Sequence, residues 1–304
     1  MEILQYTPDL LTPLTHFYNR LVADVPHCYP VREQELADAL SGAICQTDND
    51  DDLEAETVFV AMQNGTVQAF IHVGYYQDEN EENEKENTGV IRFFGYERGA
   101  RFAGQTVLKK AEEFLNTFNV TRITAFSSYE YRFYSLEYAN LSNALDHVHA
   151  LLGFNRYHPE QNWIVLDWEN YDVTSMSPPI PITITVDWKE GRGKLPNCTV
   201  TIHRDGEKVG QCESVSGGEY SSHADAQDWV YTEWLGVEDD FQGQGFGKYL
   251  LFYSLHEMQK VGYRHASIST SWDNSRALLF YSNCGYRAAD CTHVFEKVLS
   301  EVAG

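Results

Sequence analysis

Apolar side chains recur at steps of three and four near the start of the chain, at Leu11, Leu14, Phe17 and Leu21, and this spacing predicts a helix over residues 8–24. A second helix is expected after Pro30. From residue 57 the period changes. Two β-rich runs, 57–62 and 67–76, flank Asn64-Gly65, a dipeptide suited to a two-residue hairpin turn, and predict a strand pair. Residues 90–94 read as another strand. Helical spacing returns over 104–118, with Val107, Ala111, Phe114, Leu115 and Phe118 on one face. A strand over 122–126 follows, then a tyrosine-rich insertion around 129–140, a helix over 141–152 ending at Gly153, and a strand over 163–168.

Clustered prolines at Pro178, Pro179 and Pro181 can sustain neither a helix nor a central strand. They mark 173–182 as a linker between a first domain, 1–172, and a second, 183–304. Strands are expected at 182–188, 198–203, 209–215 and 229–237, with Arg204-Asp205-Gly206 as a turn. Residues 246–260 carry two apolar ladders, Phe246, Leu250 and Tyr253 beside Leu251, Leu255 and Met258, and Gly262 stands where a helix-ending glycine belongs. A strand over 265–270, a helix over 275–283 and a strand over 292–298 finish the chain. The order β, α, β, α, β closes both halves. Between Gln242 and Gly285 lie 43 positions and between Arg98 and Gly153 lie 55, a difference matching the insertion, so one unit reads as duplicated. The second half lacks a counterpart of the two opening helices. The expected fold is α/β, of the mixed-sheet α+β type, with two tandem domains whose central sheets are flanked by helices.

Charge narrows the function. The 304 residues hold 22 basic and 45 acidic side chains, a formal net charge of −23, so the summed field repels phosphate backbones and anionic lipid; neither nucleic acid nor membrane is an expected partner. A cationic partner fits better. Six carboxylates in 48–56 and six more in 78–86, offset there only by Lys85, read as solvated loops. No run of 18 apolar residues and no basic-then-apolar leader is present, which points to the cytoplasm. Cys28, Cys45, Cys198, Cys212, Cys284 and Cys291 form no C-x-x-C pair and read as reduced, mostly buried thiols. His147 and His149 do not share a helix face, so no metal site is expected.

The sharpest local chemistry lies at 235–248. Gly243, Gly245 and Gly247 alternate between a strand and an amphipathic helix, letting backbone N–H groups and a helix N-terminus approach an anion such as a pyrophosphate. The dinucleotide fingerprint fails because Lys248 replaces its last glycine, and a Walker A loop fails at Gln242 and Tyr249. The pattern Q/R-x-x-G-x-G/A is met by Gln242, Gly245 and Gly247 behind Val237. A second element follows 32 residues on, N-x-x-A-x-x-x-Y-x-x-x-G-F/Y, met by Asn274, Ala277, Tyr281, Gly285 and Tyr286. With both motifs in order on the expected elements, the chain resembles the GNAT family of N-acetyltransferases, in a tandem arrangement similar to mycothiol-synthase-like proteins.

That resemblance implies acetyl-CoA as co-substrate and a primary amine as acceptor, a small molecule or peptide, cationic by charge argument. It implies a pantetheine arm on the backbone of Leu235, Gly236 and Val237, and a pyrophosphate on Gln242, Gly243, Gln244, Gly245, Phe246, Gly247 and Lys248, with Asn274, Ala277 and Tyr281 near the arm and thiol. Tyr281 becomes the candidate general acid and Glu233 the candidate base, with Tyr231 and His223 as other bases; Glu233 shares a side with Tyr231 and Leu235 if strand alternation holds, and a β-bulge would break that parity. Lys248 and Arg276 are candidates to meet CoA phosphates. In the first half Arg101 replaces the central glycine of the loop and His149 the motif tyrosine, so residues 1–168 read as a degenerate repeat without an intact second CoA site. The competing reading is a non-catalytic acyl-CoA-binding or scaffold protein of the same fold. An aminoacyl transferase using charged tRNA is disfavoured by the missing basic stripe.

Overall fold

In a computed structural model of the chain, residues 1–41, 53–79, 85–127, 131–137, 140–178 and 180–299 are described. Residues 48–52 and 80–84 of the acidic runs, parts of the insertion, and Cys45 lie outside them. The chain folds into two compact units, Met1–Asn162 with Thr292–Gly304, and Trp163–Cys291.

The first unit opens with β1 (Glu2–Gln5), α1 (Leu11–Leu21) and α2 (Glu33–Leu40). Residues Pro8–Leu10, expected as helix, form a 3-10 turn leading into α1. β2 (Ala55–Gln63), β3 (Thr66–Glu79) and β4 (Lys85–Tyr96) continue an antiparallel sheet. The hairpin prediction is met: Asn64 and Gly65 both adopt left-handed φ, +51° and +76°, as the primed turn requires. α3 (Arg101–Asn116) then crosses to β5 (Arg122–Ala125), which runs parallel to β4. The helix expected from residue 141 starts later. Leu141–Ser142 form a short strand, β6, paired with Thr292 and His293, and the Ser142 hydroxyl accepts the N–H of Ala144 before α4 (Asp146–Phe154) begins. α4 also runs through Gly153, and the left-handed turn falls at Arg156, φ +68°.

β7 (His158–Trp168) follows. In the second unit β8 (Thr183–Lys189), β9 (Asn197–Arg204), β10 (Glu207–Ser216) and β11 (Trp229–Val237) form an antiparallel meander. α5 (Phe246–Val261) packs Phe246, Leu250, Leu251, Leu255 and Met258 against Val200, Ile202 and Cys212 of that sheet. Gly262, φ +120°, ends α5 as expected. β12 (His265–Ser271) lies parallel to β11; α6 (Ser275–Cys284) and β13 (Arg287–Val298) complete the chain.

Trp163–Trp168 of β7 pair with β12, and Phe295–Val298 of β13 pair with β5. Among the described cysteines Cys28, Cys198, Cys212 and Cys284 are buried and free, and Cys291 is free and half-buried. Burial pushes the Cys28 thiol up to about 12 and the Cys212 thiol to about 11, so both stay protonated, as packing groups rather than nucleophiles.

Candidate functional site

Register fixes the site's central feature. β11 and β12 pair from Trp229–His265 to Thr232–Ile268, and there β11 leaves its parallel neighbour. At the same point Glu213 of β10 faces Trp234 while Ser214 faces Thr232, so Glu233 is an extra, bulged residue. Beyond the bulge the residues of β11 keep β10 on one edge, and their other edge is turned from β12. An unpaired edge of this kind can hydrogen-bond an extended arm as a strand would. The bulge breaks the simple alternation: Tyr231 is 1% exposed, Leu235 is half-buried, and Glu233 is exposed.

The opened strand runs straight into the glycine loop. Gln242 turns back, its amide donating to the Val237 carbonyl at 3.1 Å and to Asp239 at 2.8 Å, while the Gln244 amide donates to the Asp240 carbonyl at 3.0 Å. Gly243 and Gly245 take φ of +74° and +88°, the latter as the cap of α5. A Cβ at Gly243 would meet nothing within 4 Å, and one at Gly247 only a Val237 methyl at 3.8 Å, so the loop is open at both positions. Phe246 anchors the helix start in the core, beside Phe241 at 6.2 Å. Lys248 is exposed, its ammonium 5.2 Å over the Phe252 ring.

α6 forms the other wall. Asn274 caps it by accepting the N–H of Ala277 at 3.0 Å. Arg276 reaches across to donate to the Gln242 side-chain oxygen at 3.1 Å, which joins the two motifs physically. Tyr281 is 8% exposed, 5.9 Å from the Tyr286 ring. Burial, reinforced by Cys212 and Cys284, holds its phenol well above the ordinary value, so it stays protonated. The other two candidate bases have packing and capping contacts of their own. Tyr231 is covered by Tyr220 at 5.8 Å, and the His223 ring nitrogen accepts the N–H of Asp225 at 3.3 Å, capping a 3-10 turn. Among the described residues no group of three or more histidines, cysteines and carboxylates is placed to hold a metal.

The first unit repeats this geometry with different residues. β4 leaves β5 after the Ile91–Ala125 pair, and the bulged residue there is Arg92, between His72–Phe93 and Val73–Ile91. Arg92 is 1% exposed. It donates to Glu56 at 3.0 Å and to the Ala39 carbonyl at 3.2 Å; Glu56 also bonds His72 at 2.9 Å, and His72 bonds Tyr131 at 3.0 Å. Tyr131 and Tyr134 of the insertion pack on Phe93 at 5.4 and 5.5 Å. The insertion therefore fills the space beside the bulge. Burial works against the Glu56 charge, but His72 and Arg92 together hold its carboxyl below the usual range; burial likewise lowers His72. The Arg101 guanidinium stacks on Phe154 at 4.6 Å, Arg98 pairs with Asp146 at 2.6 Å, and His149, at the motif tyrosine's position, packs on Phe295 at 4.8 Å. Sequence reasoning missed this cluster, since Glu56 closes an acidic run that reads as a loop.

Residues 160–286 match the model of the acetyltransferase (GNAT) family. No curated protein matches the sequence. Among solved structures, a tandem GNAT protein from the clavulanic acid biosynthesis pathway is similar at a TM-score of 0.66 and 11% identity, over 98% of both chains. A glucosamine N-acetyltransferase region of a fungal multi-domain β-N-acetylglucosaminidase is similar at 0.66 and 12%, over 97% of this chain and 38% of that one. A GCN5-related N-acetyltransferase from Sphaerobacter thermophilus gives 0.60 and 13%, over 98% and 95%. These likenesses show a shared fold over the whole chain.

Proposed function

We propose, from the match of residues 160–286 to the model of the acetyltransferase (GNAT) family, that the chain is an acyltransferase that moves an acetyl group from acetyl-CoA to a primary amine at a site in its second half. The observation that carries this reading is the parting of β11 from β12 at Glu233, directly upstream of an open glycine loop.

In this reading the edge of Leu235, Gly236 and Val237 that is turned from β12 binds the pantetheine amides. N–H groups from Gln242 to Gly247, with the start of α5, take the pyrophosphate; Lys248 and Arg276 add positive charge. The acceptor nitrogen adds to the thioester carbonyl and loses a proton, which Glu233 accepts directly or through water. As the C–S bond breaks, Tyr281 delivers its proton to the departing thiolate. Burial that keeps Tyr281 protonated suits that role, at the expense of acidity. Asn274 and Ala277 fix the start of the helix that carries it.

Free thiol released from acetyl-CoA in the presence of an amine panel tests the proposal. Amine-dependent release is expected, and Gly245→Arg should abolish acetyl-CoA binding, because the new side chain occupies the cradle and an L residue at φ +88° is strained. Binding retained by a folded Gly245→Arg protein would exclude this loop.

A further inference from the structure

The pairing registers place four side chains of the second unit in one row across four strands: Asp187 faces Thr199, Thr199 faces Glu213, and Glu213 faces Trp234. Their neighbours along β9 and β10, Cys198, Val200, Cys212 and Ser214, are buried on the side of α5, so the row lies on the opposite face. That face has little cover. Trp234 is 61% exposed, Asp187 is exposed, and Thr199 and Glu213 are half-buried. The indole lies along its strand over Gly236, since a Cβ there would meet Trp234 Nε1 at 2.9 Å.

The first unit is an internal control. Its corresponding row is Phe93, His72 and Val58, with exposures of 0%, 0% and 4%. α1 covers it through Tyr18, 5.2 Å from Phe93, and the insertion covers it through Tyr131. The second half has neither segment. The same sheet row is thus occupied by the chain's own aromatic groups in one unit and left open in the other.

Its chemistry indicates what it receives. Within the row the charged groups are Asp187 and Glu213, two strand spacings or about 9.6 Å apart, with an aromatic face beside Glu213 and the bulged Glu233 next in sequence. Gln211 donates its amide to Glu213, and the Lys208 ammonium bonds Gln211 at 2.5 Å; Lys189 ends β8 on the same face. Basic groups therefore flank the row while carboxylates and indole form it. A cation held over an indole and between carboxylates gains from both.

We propose that this row is the acceptor-docking surface for a linear polyamine. The proposal rests on the acetyltransferase reading and names its substrate class. One cationic nitrogen sits over Trp234 against Glu213, and a second reaches Asp187. The terminal amine lies at the bulge, where its nitrogen forms the new C–N bond to the acetyl carbon, the C–S bond breaks, Glu233 takes the amine proton, and the departing thiolate is protonated by Tyr281. The products are the N-acetyl polyamine and CoA.

Spermine titrated calorimetrically into the full-length protein tests the docking independently of turnover. Binding is expected, weakened by at least about tenfold in each of Asp187→Asn, Glu213→Gln and Trp234→Ala, and unchanged in Asp9→Asn, which removes an exposed carboxylate of the first unit. No binding, equal weakening by Asp9→Asn, or no effect of the row variants would overturn it. So would tighter binding of a lysine peptide or an aminoglycoside through the same residues. A parallel acetyl-CoA titration separates the two ideas: its failure removes the acetyltransferase reading, whereas failure of spermine alone removes only the docking row.

Discussion

Tyr281 shows how one residue's burial sets its chemistry. At 8% exposure its hydroxyl is shielded enough to stay protonated above the ordinary phenol value, while a departing thiolate, with a conjugate-acid pKa of about 8.5 in free thiols, needs a nearby proton to leave. In the proposed reaction, transfer from the phenol is uphill at equilibrium, so the expected contribution of Tyr281 comes from position within the transition state. Tyr281→Phe is expected to lower kcat by about a hundredfold while leaving acetyl-CoA affinity near that of the parent, since the ring and its packing on Tyr286 persist. Steady-state rates with a parallel calorimetric titration check this, and an unchanged kcat would remove the acid role. In the parent, kcat should show no loss of this acid on the alkaline side until pH exceeds 10, because its pKa is raised from that value.

At the scale of elements, the bulge on β4 is held by an ion pair between Arg92 and Glu56. Arg92 is almost fully buried and pairs with the Glu56 carboxylate at 3.0 Å. Removing one member of such a pair leaves an uncompensated charge, so Glu56→Gln should destabilise the first unit by about 3 kcal/mol, and chemical denaturation would measure it. Glu56 and His72 both have pKa values below their ordinary ones, so in each case the unfolded chain binds the proton first as pH falls. The stability they contribute is complete above the ordinary histidine value of 6.5, begins to fall below it, and falls further as pH drops past the ordinary glutamate value of 4.5; His72→Leu should blunt the first part. The hairpin at Asn64-Gly65, the long helices and the glycine loop were legible in the sequence because their signals are local. Glu56 was not: its partners lie 16 and 36 residues away, and only the strand register makes it a half-buried partner of His72 and Arg92 rather than the end of a loop. Register also decides that Leu141–Ser142 is a strand, through Thr292 and His293, and that Glu233 is the bulged residue.

The two units repeat one geometry and differ at the same point. In both, a parallel strand pair ends at a bulge before a loop and helix; one unit has glycines in the loop and an exposed carboxylate at the bulge, while the other has a buried arginine and aromatic side chains from its own insertion. A thioester arm entering the first unit would have to displace Tyr131 from Phe93 and from His72, exposing a buried cluster that carries charge; no such cost arises in the second. Acetyl-CoA should therefore bind once per chain. Calorimetric titration of the full-length protein is expected to give a stoichiometry of one, and Gly245→Arg should bring it to zero rather than to a weaker second event. A stoichiometry of two in the parent, with one site surviving in Gly245→Arg, would mean that the insertion yields to the ligand and that both units bind it. If the first unit is closed by its aromatic packing, Tyr131→Ala should lower its stability without adding a second binding event, because Arg92 and Glu56 remain in place beside the bulge.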